Sequence, residues 1–144
     1  MHINELDKYD VFIFDCGGVI LNSNEIKTNA FGEVVKQYGP ERAKKLVKYH
    51  KENGGVSRHK KFNYFITDIL EKEFNNVLFD CFLERYQSIT IEALINSDVV
   101  SGVIKLLEHI HNVKKAFVVS GGLESDLKLI LDKRKIKNPN IGSK

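Results

Sequence analysis

The chain has 144 residues and a formal net charge of +3, with 42% hydrophobic and 28% charged residues. This balance excludes a disordered chain and suits one domain of ordinary size, or a small core that carries an inserted subdomain. The longest apolar runs, such as VFIF, are far shorter than the roughly 20 residues of a spanning helix, so we expect no membrane span.

The N-terminal segment MHINELDKYD is polar and acidic before the first apolar run, which is the wrong order for a secretory signal. Cys16 and Cys81 lie far apart and match no metal-binding spacing, so reduced thiols are the simplest interpretation. We therefore expect a cytoplasmic protein.

The first predicted strand is VFIFD, residues 11–15. It is apolar until its last residue, which is typical of a strand buried on both faces of a parallel sheet covered by helices. Because Gly17 and Gly18 follow closely, the pattern places Asp15 at the carboxyl end of the strand. Ligands bind at that edge in open α/β sheets.

The segment 22–97 has helical periodicity and is predicted to form a cap of four helices. Apolar residues recur at i, i+3, i+4 and i+7, and we interpret these aromatic and aliphatic positions as core. Gly39 and Pro40 are predicted to end one helix and open the next. The positions that share the core faces are Ile26, Ala30, Val34, Tyr38, Phe62, Phe65, Ile66, Ile69, Phe79, Phe82, Leu83 and Tyr86.

Residues 42–61 carry eight lysines and arginines against a single acid, Glu52. A solvated helix face explains such a run, and a site for a small anion is the alternative. No zinc spacing, aromatic-rich RNA motif or recognition-helix pattern accompanies it, so we expect no nucleic-acid partner.

The C-terminal part returns to an α/β pattern. A helix containing Val103, Leu106, Leu107 and Ile110 precedes the strand AFVVS, residues 116–120. A helix with Leu123, Leu127, Ile130 and Leu131 on one face follows, and a short strand is predicted near residues 140–143. The predicted fold is an α/β core with an incomplete Rossmann-like parallel sheet, residues 1–21 and 98–144, interrupted by the helical cap 22–97.

Two strand ends carry the candidate chemistry. Asp15 could act as a metal ligand or as a nucleophile, and the glycines after it allow close approach of a substrate. Ser120 is followed by Gly121 and Gly122 before a predicted helix, and its hydroxyl with the backbone amides there would suit a phosphate group.

The stretch FIFDCGGVILNSNEI, followed after the helical segment by SGVIKLLEHI and AFVVSGG, resembles the haloacid dehalogenase superfamily with a helical cap. The resemblance extends to about residue 133. GGVSRHKKF, residues 54–62, is similar to the cap loop of members of the β-phosphoglucomutase type. The resemblance implies a hydrolase that uses Mg²⁺ to act on a small phosphorylated metabolite.

The resemblance also assigns roles by position. Asp15 matches the nucleophile that forms an aspartyl-phosphate, and Ser120 matches the hydroxyl that holds the transferring phosphoryl group. Arg58 matches a cap residue that contacts the distal anionic group of the substrate. Gly18, Gly121 and Gly122 would bind substrate through their backbone. The carboxylate of Asp15 and the backbone carbonyl of Gly17 would be metal ligands.

The sequence departs from the family pattern in two ways. Gly17 stands where phosphatases of the family have a second aspartate, the general acid and base, a role typically worth about 10² to 10⁴ in rate. The later strand that carries the family's acidic metal-binding motif has no counterpart in the sequence, so we expect a shortened form. Lys144 could correspond to the family's basic residue or be a plain chain end.

Three hypotheses follow. The first is a phosphatase-like enzyme that acts through Asp15 but is impaired by Gly17 and by the missing motif. The second is a non-catalytic remnant that binds phosphorylated metabolites. The third is an interaction protein, because the family's sheet places later strands beside the first one, so that VFIFD would be an exposed apolar edge open to self-association.

Overall fold

The computed structural model describes the backbone of residues 3–110, 114–136 and 140–143, and the side chains of residues 5–110 and 114–136. The chain divides into two units. The first comprises Met1–Ser23 and Leu94–Lys144, and the second comprises Asn24–Ala93. The predicted cap, 22–97, differs from the second unit by a few residues at each end.

The first unit is built on a three-stranded parallel sheet. Its strands are β1 (Val11–Asp15), β2 (Lys115–Ser120) and β3 (Asn140–Ser143), in the order β1-β2-β3. The sheet confirms the predicted α/β class with an incomplete Rossmann-like core, and β3 lies at the predicted short strand. The register pairs Ile13 with Phe117 and Asp15 with Val119.

The prediction that β1 is buried on both faces is wrong. Phe14 is buried, whereas Val11 is 49% exposed and Ile13 is 70% exposed. Successive side chains of a strand point to opposite faces, so one face of β1 is covered and the other is not. The strand pairs only with β2 and lies at the edge of the described sheet. The apolar residues of β1 therefore lie on an exposed face as well as on a buried one.

In the described part of the first unit, two α-helices and a short 3-10 helix, Ile3–Leu6, accompany the sheet. Helix α5 (Val103–Ile110) buries Val103, Leu107 and Ile110, and helix α6 (Glu124–Lys133) buries Leu127, Ile130 and Leu131. Leu123, predicted on the buried face of the second helix, is instead 46% exposed. It is the N-cap of α6 with an extended backbone, so its side chain does not follow the helical period.

The second unit contains the four predicted cap helices. They are α1 (Asn24–Val35), α2 (Pro40–Glu52), α3 (Arg58–Tyr64) and α4 (Asn76–Ile95), with a π-helical turn over Phe65–Ile69 after α3. Gly39 lies between α1 and α2 with φ of 98°, a conformation that favours glycine, and Pro40 opens α2 as predicted.

The core of the cap is aromatic. Phe31, Phe62, Phe65, Phe82 and Tyr86 are all buried and share contacts, among them a ring separation of 4.5 Å between Phe31 and Tyr86. Aromatic pairs at such distances add to the gain from apolar burial. The prediction of core positions is confirmed for Phe62, Phe65, Phe82 and Tyr86, and Phe31 is a core residue that was not predicted. The predicted positions that are only partly buried are Ile26, Tyr38, Phe79 and Leu83.

None of the helices within the described ranges is long and apolar enough to cross a membrane. Cys16 is buried and Cys81 is exposed, and no disulfide joins them.

Candidate active site

Asp15 ends β1 with an exposed side chain. Its Oδ1 accepts a long hydrogen bond of 3.4 Å from the backbone N–H of Gly17. A contact of that length restrains the carboxylate weakly. The remaining lone pairs of an exposed carboxylate can serve a metal ion or an electrophile.

A tight turn follows Asp15. The N–H groups of Ile20 and Leu21 donate to the carbonyl of Cys16 at 3.0 Å, and Gly18 N–H donates to the carbonyl of Leu21 at 2.7 Å. Gly18 has φ of 77°, which a residue with a side chain would adopt at a cost. Gly18 therefore shapes a defined turn at the strand end.

Ser120 ends β2, and its Oγ accepts a hydrogen bond of 3.2 Å from the N–H of Gly122. Gly121 and Gly122 are exposed. A Cβ added at Gly121 would meet no atom within 4 Å, and one added at Gly122 would lie 3.6 Å from Ser120 Oγ. Protein packing therefore leaves space beside both glycines, and the turn leads directly into α6.

Strand pairing brings Asp15 and Ser120 to the same edge of the sheet. Asp15 lies opposite Val119, the residue before Ser120. Neighbouring strands are about 4.8 Å apart, so the backbones of Asp15 and Ser120 occupy adjacent positions at this edge. The first unit thus places Asp15, Gly17, Gly18 and the Ser120–Gly122 turn at the carboxyl ends of two parallel strands.

A magnesium ion was predicted to bind Asp15 and the backbone carbonyl of Gly17. No backbone hydrogen bond to that carbonyl is found in the described part of the chain. The same part contains no group of three or more His, Cys, Asp or Glu residues able to hold a metal ion. Mg²⁺ usually keeps several waters and binds through one or two carboxylates plus substrate phosphates. An ion bound by Asp15 and this carbonyl would therefore depend on water and a bound phosphate for its remaining ligands.

Arg58 belongs to the second unit. It follows Ser57, the N-cap of α3, whose hydroxyl accepts from the N–H of Lys60 at 3.4 Å. The Arg58 guanidinium lies 6.0 Å from the centre of the Tyr86 ring, a cation–π arrangement. Burial raises the pKa of Tyr86 to about 12, and the charge of Arg58 opposes that rise.

Two further basic residues of the cap were missed by the sequence reasoning. Lys61 is buried, and its Nζ lies 2.8 Å from Nδ1 of His50. The helical period could have indicated the burial of Lys61, because this residue precedes buried Phe65 by four positions and so shares its face. Lys144, considered as a counterpart of the family's basic residue, lies outside the described residues.

Comparison with known protein families gives one match over most of the chain. The sequence model described as haloacid dehalogenase-like hydrolase matches residues 12–139. No curated protein matches the sequence significantly.

Several solved structures share the fold. YfnB from Bacillus subtilis, solved bound to magnesium, has a TM-score of 0.65 at 13% identity over 95% of this chain and 66% of its own. A hydrolase from Streptococcus pneumoniae has a TM-score of 0.51 at 26% identity, covering 94% of this chain and 67% of its own. A Thermotoga maritima protein, provisionally named a β-phosphoglucomutase, has a TM-score of 0.61 at 15% identity, covering 94% and 61%. The chain thus spans about two thirds or less of these structures.

Proposed function

Because the chain belongs to the haloacid dehalogenase-like hydrolase family, we propose that it transfers the phosphoryl group of a small phosphorylated metabolite to Asp15, with the help of Mg²⁺. The observation that carries the proposal is the position of Asp15 and Ser120 at the ends of adjacent parallel strands. The family match and the magnesium-bound relative also support it. We also propose that the protein works in the cytoplasm, where its two cysteines would remain reduced thiols.

The proposed reaction has two steps. A carboxylate oxygen of Asp15 attacks phosphorus, the bond from phosphorus to the leaving oxygen breaks, and an aspartyl-phosphate forms. Water then attacks the acyl phosphate, which releases inorganic phosphate and restores the carboxylate. Because Gly17 has no side chain, the leaving oxygen takes its proton from water, which makes turnover slow for poor leaving groups.

The surroundings of Asp15 would contribute by positioning and electrostatics. The Ser120 hydroxyl and the N–H groups of Gly121 and Gly122 would donate hydrogen bonds to the phosphoryl oxygens, and Gly18 allows the backbone to approach the substrate. Asp15 and the carbonyl of Gly17 would hold the metal. Bound Mg²⁺ would supply positive charge next to the phosphoryl group.

The test is phosphate release from p-nitrophenyl phosphate, whose leaving group needs little protonation. We expect slow release in the presence of Mg²⁺ and its loss on addition of EDTA. Equal rates with and without EDTA would contradict the role of the metal, and no release at any enzyme concentration would favour a protein that binds phosphorylated metabolites without turnover.

A second candidate function rests on the exposed face of β1. Ile13 is 70% exposed on a strand with no charge between Val11 and Phe14, at the edge of the described sheet. Such an edge offers unpaired backbone groups to another strand. We propose that β1 mediates self-association of the chain.

The self-association proposal predicts a molar mass that rises with concentration in light-scattering measurements, and a monomer after Ile13→Lys, because a charge would disfavour pairing there. The matched control is Leu129→Lys, which replaces an apolar residue of α6 that is 43% exposed and should leave the association unchanged because it does not alter β1. A mass of 16.5 kDa at every concentration of the parent chain would refute the proposal.

A further inference from the structure

The outer side of α2 and α3 combines two tyrosines with two cations. Tyr49 of α2 and Tyr64 of α3 are partly buried and stack on each other with ring centres 3.9 Å apart and an interplanar angle of 17°. Lys45 and Lys60 are exposed and lie four positions before the two tyrosines on the same helices. Residues four apart on a helix are neighbours, so each lysine flanks one ring of the pair. These four residues form the basic face.

The lysines of the basic face have no acidic partner in the described part of the chain. Lys44, also on α2, forms an ion pair of 3.0 Å with Glu41 of the same helix. No such pair is found for Lys45 or Lys60 among the described residues. Residues 42–61 carry eight lysines and arginines against a single acid, so neighbours along the chain do not neutralise the face. Its positive potential is therefore available to an acidic group from outside.

The outer side of α4 has the opposite charge. Val77, Asp80, Cys81 and Glu84 are exposed and recur at i, i+3, i+4 and i+7, so they share one side of the helix. The side chain of Val77 is 80% exposed, although it is apolar. Within the part of the chain that the structure describes, neither Asp80 nor Glu84 forms an ion pair. These four residues form the acidic face.

The two faces are complementary in shape of charge and in apolar content. The basic face has a ring pair flanked by two cations, and the acidic face has an apolar side chain followed by two carboxylates. Both faces are exposed, so they do not cover each other within one chain. Like charges placed opposite each other are unfavourable, so a contact between two copies would join unlike faces.

We propose that the basic face of one copy of the chain docks on the acidic face of a second copy, with the tyrosine rings against Val77 and the lysines beside the carboxylates. The contact is distinct from strand pairing through β1 and from phosphoryl transfer. Exposed charge pairs contribute little each, so this contact is weaker than strand pairing and forms at higher protein concentrations. It also weakens as the salt concentration rises.

The test exchanges the charges of the faces, and every chain carries Ile13→Lys so that β1 does not contribute. One variant has Lys45→Glu and Lys60→Glu, which makes both faces acidic. The other has Asp80→Lys and Glu84→Lys, which makes both faces basic. Sedimentation velocity at low ionic strength should show association of the parent, and each variant alone should have a dissociation constant roughly tenfold higher or more. An equal mixture of the two variants should associate again, because unlike faces then meet.

Two exposed lysines outside the cap provide the matched control. Lys105→Glu on α5 combined with Lys133→Glu on α6 makes the same change in net charge and should leave the association unchanged. Cys81 reports on the acidic face itself, since it is exposed whereas Cys16 is buried. Its alkylation by N-ethylmaleimide should slow as the concentration of the parent rises, and should not slow for the variant in which Lys45 and Lys60 are replaced.

A parent that stays monomeric at every concentration in low salt would overturn the inference, as would folded variants that associate like the parent or do not associate when mixed. A monomeric parent that binds poly-L-glutamate through Lys45 and Lys60 would also overturn it, because another acidic protein would then occupy the basic face. If thermal unfolding shows that a variant has lost its fold, Val77→Ser replaces it and should weaken the association, and unchanged association would contradict the proposal. Phosphate release does not enter these measurements, so the proposed function is tested separately.

Discussion

Replacing Asp15 with asparagine is expected to reduce phosphate release from p-nitrophenyl phosphate to the uncatalysed level. The amide cannot form the aspartyl-phosphate and is a poorer metal ligand, so both contributions of this position are lost. The rate of phosphate release should fall by on the order of 10³-fold or more. The low rate of the parent chain sets the largest decrease that can be measured. Acid-quench labelling with radioactive phosphate donor should show a labelled protein for the parent and none for Asp15→Asn.

Asp10→Asn is the matched control for that substitution. Asp10 directly precedes β1, and its Oδ1 lies 3.7 Å from Nζ of Lys114. The Asp10 side chain is 95% exposed, whereas that of Lys114 is 19% exposed. Surface pairs of this type contribute little to stability, so the rate should be unchanged. Activity retained in Asp15→Asn would show that another residue, or a contaminating phosphatase, is responsible.

Replacing Gly17 with aspartate is expected to raise the rate with poor leaving groups by about 10² to 10⁴, the usual contribution of a general acid and base. Gly17 is not among the glycines with positive φ, so a side chain is compatible with its backbone. The new carboxyl group would lie two residues from Asp15, and a neighbouring negative charge favours the protonated form needed to donate to a leaving group. The measurement is phosphate release from an alkyl phosphate such as glycerol 3-phosphate.

Gly17→Asn separates acid–base chemistry from the presence of a side chain. An asparagine side chain has almost the same shape as that of aspartate, but it cannot donate and then accept a proton. The rate of Gly17→Asn should therefore equal that of the parent. The gain in Gly17→Asp should be larger for glycerol 3-phosphate than for p-nitrophenyl phosphate, whose leaving group needs little protonation. Equal rates for all three proteins on both substrates would show that the missing acid does not limit turnover.

Much of the fold could be predicted because its elements have strong local patterns. The spacing of Phe62, Phe65 and Ile66 predicted a helix, and these residues are buried in α3 and in the π-helical turn that follows it. Gly39 and Pro40 marked a helix boundary through backbone conformations that few other residues favour. Burial of β1 could not be predicted in the same way, because an apolar strand has the same composition whether one face or both are covered.

The sequence by itself determined that Asp15 and Ser120 end strands and are followed by glycines, since these features depend on neighbouring residues. The tertiary structure alone decided that the two strands pair in a register that sets Asp15 opposite Val119, and that Ile13 is exposed at an edge. It also decided that Lys61 is buried against His50. Pairing and burial depend on contacts between segments distant along the chain, and the energetic cost of a buried charge arises only when those segments pack together.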